Sequence, residues 1–220
     1  MPKVPVERRI QDENERIAGE NRRAFAEARV AVLNLVSSPG SGKTTLLEAT
    51  LDRLPRDVRA LVIEGDVSTD RDLARVKAHG GDGIQINTGG GCHLSAAMVA
   101  DAMRKLDLAG ADLVFIENVG NLICPATYDL GEDGKVVLLA TTEGDDKPMK
   151  YPAVFHESRL AILNKTDLLP YLAYDVAKVE REIAVLNPSC EILRLSALRG
   201  DGMDAWIDWV LARVREKRGA

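Results

Sequence analysis

Val30-Ala-Val-Leu-Asn-Leu-Val36 runs directly into Ser37-Ser-Pro-Gly-Ser-Gly-Lys-Thr44 and then Thr45-Leu-Leu-Glu-Ala-Thr-Leu51. The first segment is a near-continuous apolar run, the signature of a buried strand. The last has helical spacing and good helix formers. Between them stand small residues ending in Gly42-Lys43-Thr44, so the whole reads as strand, phosphate-binding P-loop and helix. Gly40 and Gly42 let backbone N–H groups curl around phosphate oxygens, and the helix beginning near Lys43 turns its positive end to the same anion. Lys43 reaches the β- and γ-phosphates as a point charge, and the Thr44 hydroxyl is a Mg²⁺ ligand. The predicted cradle is Ser38, Pro39, Gly40, Ser41, Gly42, Lys43, Thr44 and Thr45. Ser37 departs from the pattern, which has glycine there, and Ser38 is not the second lysine that marks the deviant ATPase subgroup.

Outward from this stretch, strands and helices alternate. Apolar runs at Ala60–Glu64, Gly83–Asn87, Asp112–Glu117, Lys135–Ala140, Leu160–Asn164 and Glu191–Leu195 are the further strands. Helices are predicted from Ser68 through Lys77, over Leu94–Leu108, over Val176–Leu186 and over Met203–Val214. The implied fold is α/β, a mostly parallel sheet with helices on both faces and ligands at the C-terminal strand ends. Trp206 and Trp209, three apart, share a helix face and read as core. Residues 1–28 form a charged helical extension, with Ile10, Ile17 and Phe25 as its apolar points, and residues 29–220 form the P-loop domain.

Composition agrees with this layout. The 220 residues are 45% hydrophobic but only 4% aromatic, so the core is aliphatic. The net charge of −5 argues against a broad nucleic-acid or anionic-membrane footprint. No apolar run approaches ~20 residues, and the N-terminus has no apolar signal core, so a cytoplasmic protein is expected. Three cysteines in such a chain point to thiol or metal chemistry rather than a disulfide framework.

Asn164-Lys-Thr-Asp167 closes an apolar strand and matches the Asn-Lys-x-Asp signature of guanine-specific P-loop proteins. The Asp167 carboxylate accepts from guanine N1–H and the 2-amino group, whereas adenine N1 would face it as a second acceptor. Lys165 lies along the base plane and braces the P-loop, and Ser196-Ala197-Leu198 resembles the second guanine-contact loop. GTP is therefore the expected nucleotide. Asp66 and Glu117, at two strand ends, are the carboxylates for Mg²⁺, and Glu117-Asn118-Val119-Gly120 occupies the place of the usual Asp-x-x-Gly sensor of the γ-phosphate. Lys43, Asp66 and Glu117 are the catalytic candidates. No glutamine stands in an obvious water-positioning place, so slow intrinsic turnover and help from a second protomer or partner are expected.

Cys92 and His93 follow three glycines, and Cys124 lies shortly after the Glu117 strand. These are soft or borderline donors suited to Ni²⁺ or Zn²⁺. Neighbouring side chains on a regular strand point apart, so Cys92 and His93 converge only if their loop is irregular. By spacing alone, buried inert thiols explain the cysteines equally well. Cys190 has no partner motif and reads as structural; His79 and His156 read as surface or satisfied histidines.

Four segments, Asn34–Glu48, Gly91-Cys-His-Leu94, Glu117–Pro125 and Glu143–Pro152, together resemble the HypB family, GTPases that help insert nickel into hydrogenase precursors. The resemblance spans nearly the whole chain. It implies a metal site on Cys92, His93 and Cys124 at a dimer interface, GTP-linked homodimerisation, and two partners: an accessory nickel-binding protein and the hydrogenase large-subunit precursor. It also implies that Lys147 or Lys150 reaches a nucleotide in the facing protomer, a role no more specific here than that of a solvated loop lysine. The sequence has no amino-terminal Cys motif or His-rich tract of the kind some members carry. Two rival readings are a urease-accessory-type nickel GTPase, which typically has Cys-Pro-His in place of Cys92-His93, and a nucleotide-regulated binding module with inert thiols.

Overall fold

The computed structural model describes the backbone of residues 6–66 and 71–219, with side chains from 10–66 and 74–219. Strands β1 (Ala31–Ser37), β2 (Ala60–Asp66), β3 (Asp82–Asn87), β4 (Leu113–Glu117), β5 (Gly134–Ala140), β6 (Ser158–Asn164) and β7 (Glu191–Arg194) form one sheet in the order β3-β2-β4-β1-β5-β6-β7. Every neighbouring pair is parallel. Helices are α1 (Val6–Glu27), α2 (Lys43–Leu51), α3 (Arg71–Ala78), α4 (Ala96–Met103), the short α5 (Lys147–Lys150) and α6 (Pro152–His156), α7 (Val176–Leu186) and α8 (Met203–Arg218).

The strands can be apolar throughout because both sheet faces are covered. Along β1, Ala31, Leu33 and Leu35 face a core completed by Leu46 and Leu47 of α2 and by Trp206, Trp209 and Val210 of α8. Val32 points the other way, onto Phe25 of α1 and Val99 of α4. Trp206 and Trp209 stack with centroids 5.8 Å apart, and the Trp206 indole N–H donates to Thr50 Oγ1 at 2.7 Å. They are core, as their spacing predicts.

Two element boundaries differ from expectation. The helix predicted over Leu94–Leu108 is regular only over Ala96–Met103, because Ser95 caps its start by accepting from Met98 N–H. Past Met103 the turns tighten, with Lys105 N–H on Ala102 O at 2.9 Å, and Leu106 and Leu108 fold back onto the core. Helix α8 outruns Val214 by four residues, carried by Lys217 and Arg218 on Asp133 and Asp112, both at 2.7 Å. Ser68–Asp70, expected to open α3, lie outside the described residues.

Strand β1 is central, flanked by β4 and β5, and the chain leaves its two sides in opposite directions. Its C-terminal end is thus the crevice where such sheets hold ligands.

Candidate nucleotide cleft and metal pocket

A cleft of ≈ 560 Å³ opens at that crevice, lined by Pro39, Gly40, Gly42, Lys43, Thr44 and Thr45 together with Glu64, Gly65, Asp66, Arg75, Glu117–Gly120 and Lys165. Gly42 sits at φ 98°, and a Cβ there would lie 2.7 Å from Asn164 Nδ2. Only glycine permits both the left-handed backbone and that approach. Helix α2 starts on the next residue, so its unpaired N–H groups face the cleft.

The cleft side chains are already anchored. Lys43 Nζ donates to Ser37 Oγ at 2.9 Å, so the serine that replaces the expected glycine steadies the ammonium at the cleft floor. Thr44 Oγ1 donates to Glu117 Oε1 at 2.9 Å, joining the start of α2 to the end of β4. Ser41 Oγ donates to Glu143 Oε1 at 2.6 Å. Asn164 Nδ2 donates to Ser41 O at 2.8 Å, while its Oδ1 accepts from Lys165 and Ala197 N–H at 2.8 and 3.1 Å. Lys165 Nζ donates to Gly40 O at 2.7 Å, the bracing expected of it. Asn164 therefore ties together the P-loop, the Asn164–Asp167 segment and the Ser196–Ala197 turn, all brought to one end of the sheet. Lys147 Nζ is held by Glu143 O at 2.7 Å.

Sequence reasoning passed over Glu64 and Arg75, both of which line the cleft. Arg75 forks onto Glu48 with two bonds of 2.7 Å. The only sequence trace of Glu64 is a carboxylate ending an otherwise apolar strand. For Arg75 there is none, since a helix two elements downstream delivers it. Asn34 was also missed. It is wholly buried in β1, where its Nδ2 donates to Glu132 Oε1 at 3.0 Å and its Oδ1 accepts from Asn118 Nδ2 at 3.3 Å.

Beyond Gly120 the chain leaves the cleft lining and reaches Cys124. The loop from Thr88 turns through Gly89 and Gly90, both at positive φ, and presents Cys92 and His93 to the same place. One donor atom from each of Cys92, His93 and Cys124 lies within 4.8 Å of the others. The irregular loop that would let these adjacent side chains converge is therefore present, and Cys92 Sγ approaches His93 Nδ1 at 3.5 Å. The neighbouring Cys124 thiol, then burial, hold the Cys92 thiol above its ordinary range; burial holds His93 below its own. Both directions favour neutral forms, leaving the imidazole a lone pair to offer. The His93 ring packs on Tyr128 with centroids 4.0 Å apart. Cys190 lies away from this pocket among apolar residues, where burial pushes its thiol up to about 11, in keeping with an inert structural role.

Two links join cleft and pocket. Glu117, bonded to Thr44, and Cys124 belong to one continuous segment. In that segment Asn118 Oδ1 accepts from Leu94 N–H at 3.1 Å, next to His93.

Known proteins resemble this chain over most of its length. The profile of the CobW/HypB/UreG nucleotide-binding domain matches residues 31–194. The chain is 54% identical over 207 residues to the hydrogenase maturation factor HypB of Escherichia coli K12, covering 94% of this chain and 71% of that protein. It is 38% identical to the probable hydrogenase maturation factor HypB of Methanocaldococcus jannaschii, covering 92% of each. Among solved structures, HypB from Helicobacter pylori in complex with nickel superposes with a TM-score of 0.88 at 37% identity, covering 93% of this chain and 96% of that one. HypB from Archaeoglobus fulgidus gives 0.86 at 37%, covering 92% and 99%. The signal recognition particle receptor FtsY of Elizabethkingia anophelis, at 14% identity and a TM-score of 0.55 over 85% of this chain and 71% of that one, shares the fold alone.

Proposed function

The chain belongs to the HypB branch of the CobW/HypB/UreG nucleotide-binding family, and from that premise we propose that it is a GTP-hydrolysing metallochaperone delivering nickel for maturation of nickel–iron hydrogenase. One observation carries the reading: the segment Glu117–Cys124 starts on the hydroxyl of Thr44 and ends among the thiol and imidazole donors. A change at the γ-phosphate end is thereby felt at the metal end.

Within this reading GTP is the substrate. The P-loop amides and Lys43 bind its phosphates, Asp167 reads the guanine edge, and Ser196 and Ala197 close over the base from the far side. Thr44, Asp66 and Glu117 offer hydroxyl and carboxylate oxygens in one cleft, a hard donor set that fits Mg²⁺. When bound, that ion neutralises charge on the β- and γ-phosphates. Lys43 would steady the same oxygens with its own charge, and Glu117, by releasing or taking Thr44, registers which nucleotide is present.

Nickel is the cargo. Cys92, His93 and Cys124 are a donor set suited to Ni²⁺ or Zn²⁺. Three protein donors per chain leave room for water, or for the same set from a second copy across a two-fold axis. GTP favours the closed homodimer and a well-formed pocket. Hydrolysis loosens both, and the ion passes to an accessory nickel-binding protein or to the hydrogenase large-subunit precursor.

A nickel titration with and without a non-hydrolysable GTP analogue, followed in parallel by sedimentation, tests the reading. The expected result is tighter nickel binding and a shift to dimer when the analogue is present. Nickel affinity and sedimentation that both ignore the nucleotide would overturn it.

A further inference from the structure

Helix α1 lies across the two segments that carry the metal donors, and two of its asparagines hold both. Asn14 and Asn21 are seven residues apart, two helical turns, and so share the face that also buries Ala18 and Phe25. Asn14 Oδ1 accepts from Ala96 N–H at 2.9 Å, and its Nδ2 donates to Asp129 O at 2.8 Å. Asn21 Nδ2 donates to Ala96 O at 2.8 Å and to Leu130 O at 3.0 Å. Ala96 is three residues past His93. Asp129 and Leu130 follow Tyr128, the residue against which the His93 ring packs. Each carboxamide thus bridges the backbone after Cys92-His93 to the backbone after Cys124.

Burying a carboxamide costs free energy unless its bonds are made, and apolar side chains would dock a helix without that cost. Here the four bonds go to main-chain groups of the two donor-bearing segments. Arg22 reinforces them, with Nη2 on both Asp129 carboxylate oxygens at 2.7 and 2.6 Å. The same segments are tied from beneath. Leu130 N–H donates to Glu132 Oε2 at 2.7 Å, and Glu132 continues through Asn34 to Asn118, which holds Leu94.

We propose that Asn14 and Asn21 are positioning residues for the metal pocket: α1 is a brace that fixes the Cys92-His93 loop and the Cys124–Tyr128 loop at ligand distance from each other. The proposal rests on the metal-binding reading above. Loss of either bridge lets the loops separate, so the donors meet less often, while the P-loop, on the far side of Glu117, keeps its own anchors.

The test compares Asn14→Ala, Asn21→Ala and, as a control on the solvent face of α1, Arg16→Ala, whose side chain among the described residues bonds Glu13 and Glu20. Ni²⁺ alone is titrated into the full chain and followed by its thiolate charge-transfer absorption. Capture of the Cys92 and Cys124 pair by a trivalent arsenical, which requires both sulfurs together, is timed without metal. The brace predicts about tenfold weaker nickel binding and an altered absorption band in both asparagine variants. It also predicts slower arsenical capture, GDP affinity equal to that of the parent, and an unaffected Arg16→Ala. If Asn21→Ala does not fold, Asn14→Ala decides, with Asn14→Gln expected to recover part of the loss. Arsenical capture and nickel affinity unchanged in a folded Asn14→Ala protein would overturn the brace. A parent protein that fails to bind nickel while the asparagine variants still slow arsenical capture would instead overturn the metal cargo and leave the brace standing.

Discussion

The nucleotide cleft and the metal pocket lie one short segment apart and are built on opposite plans. In the cleft, Lys43, Thr44, Ser41, Asn164 and Lys165 are each hydrogen-bonded at 2.6 to 2.9 Å to a residue from another part of the cleft; Lys43, Thr44 and Asn164 stand on the first turn of α2 or the end of β6, and these bonds pin the P-loop residue Ser41 and the turn residue Lys165. In the pocket Cys92 and His93 stand on a loop and Cys124 opens a single 3₁₀ turn, Cys92 is exposed, and the contact between adjacent donors is a soft 3.5 Å. A site that must tell one base from another gains from preorganised donors, since a misplaced partner costs a buried polar group. On the proposed function, a site that hands its ligand on needs exposure and loops that can part. The difference between the two regions is therefore one of rigidity, and the rigidity the pocket does have comes from α1 and Asn118 rather than from its own loop.

The sharpest way to break this comparison is Lys43→Ala. GTP turnover should fall on the order of 10²–10³-fold or more, because the variant loses the charge facing the phosphates in a low-dielectric cleft. Phosphate release measures it, and near-normal hydrolysis would remove the P-loop assignment. Cys124→Ala probes the other side. Loss of one of three soft donors should weaken nickel binding on the order of hundredfold while GTP affinity stays put. Calorimetric titration of both ligands checks this, and an unchanged nickel isotherm would take Cys124 out of the pocket. The smallest effect is expected at the junction. Asn118→Ala leaves the buried Leu94 N–H without its acceptor, costing about 1–3 kcal/mol of stability, which a thermal melt reads. It should also shrink the nickel affinity ratio between GTP- and GDP-loaded protein by on the order of threefold. An intact ratio in a folded variant would mean that the two regions communicate by another route.

How far each region was legible follows from how it is built. The cleft's main chemistry is contiguous in sequence, because a P-loop is one turn between one strand and one helix; Ser37–Thr45 and Asn164–Asp167 announce themselves. The charge on Arg75 left no such trace, since only the packing of α3 brings it in; Asn34 shows in the sequence as one polar residue in an apolar strand, but its partners Glu132 and Asn118 come from segments about a hundred residues on. Boundaries failed where capping and ion pairs decide them, as at Ser95 and at Lys217–Arg218.

The metal pocket divides differently. Sequence supplied the donor types, Cys92, His93 and Cys124, and with Gly89 and Gly90 the means for two adjacent side chains to converge. Spacing alone could not say that residues 92 and 124 meet, which only the family resemblance implied, because their proximity depends on β3 and β4 flanking β2 in the sheet and on the loops that leave them. Nor could it give α1 more than a charged face with a few apolar points. Hydrogen-bond partners a hundred residues away in the chain, such as Asp129 for Asn14, exist only once the sheet has closed. Local chemistry is written in local spacing, whereas long-range directionality comes from the fold. The sequence by itself determined a strand-turn-helix cradle and a set of soft donors; the tertiary structure decided that they are joined, and through which backbone amides.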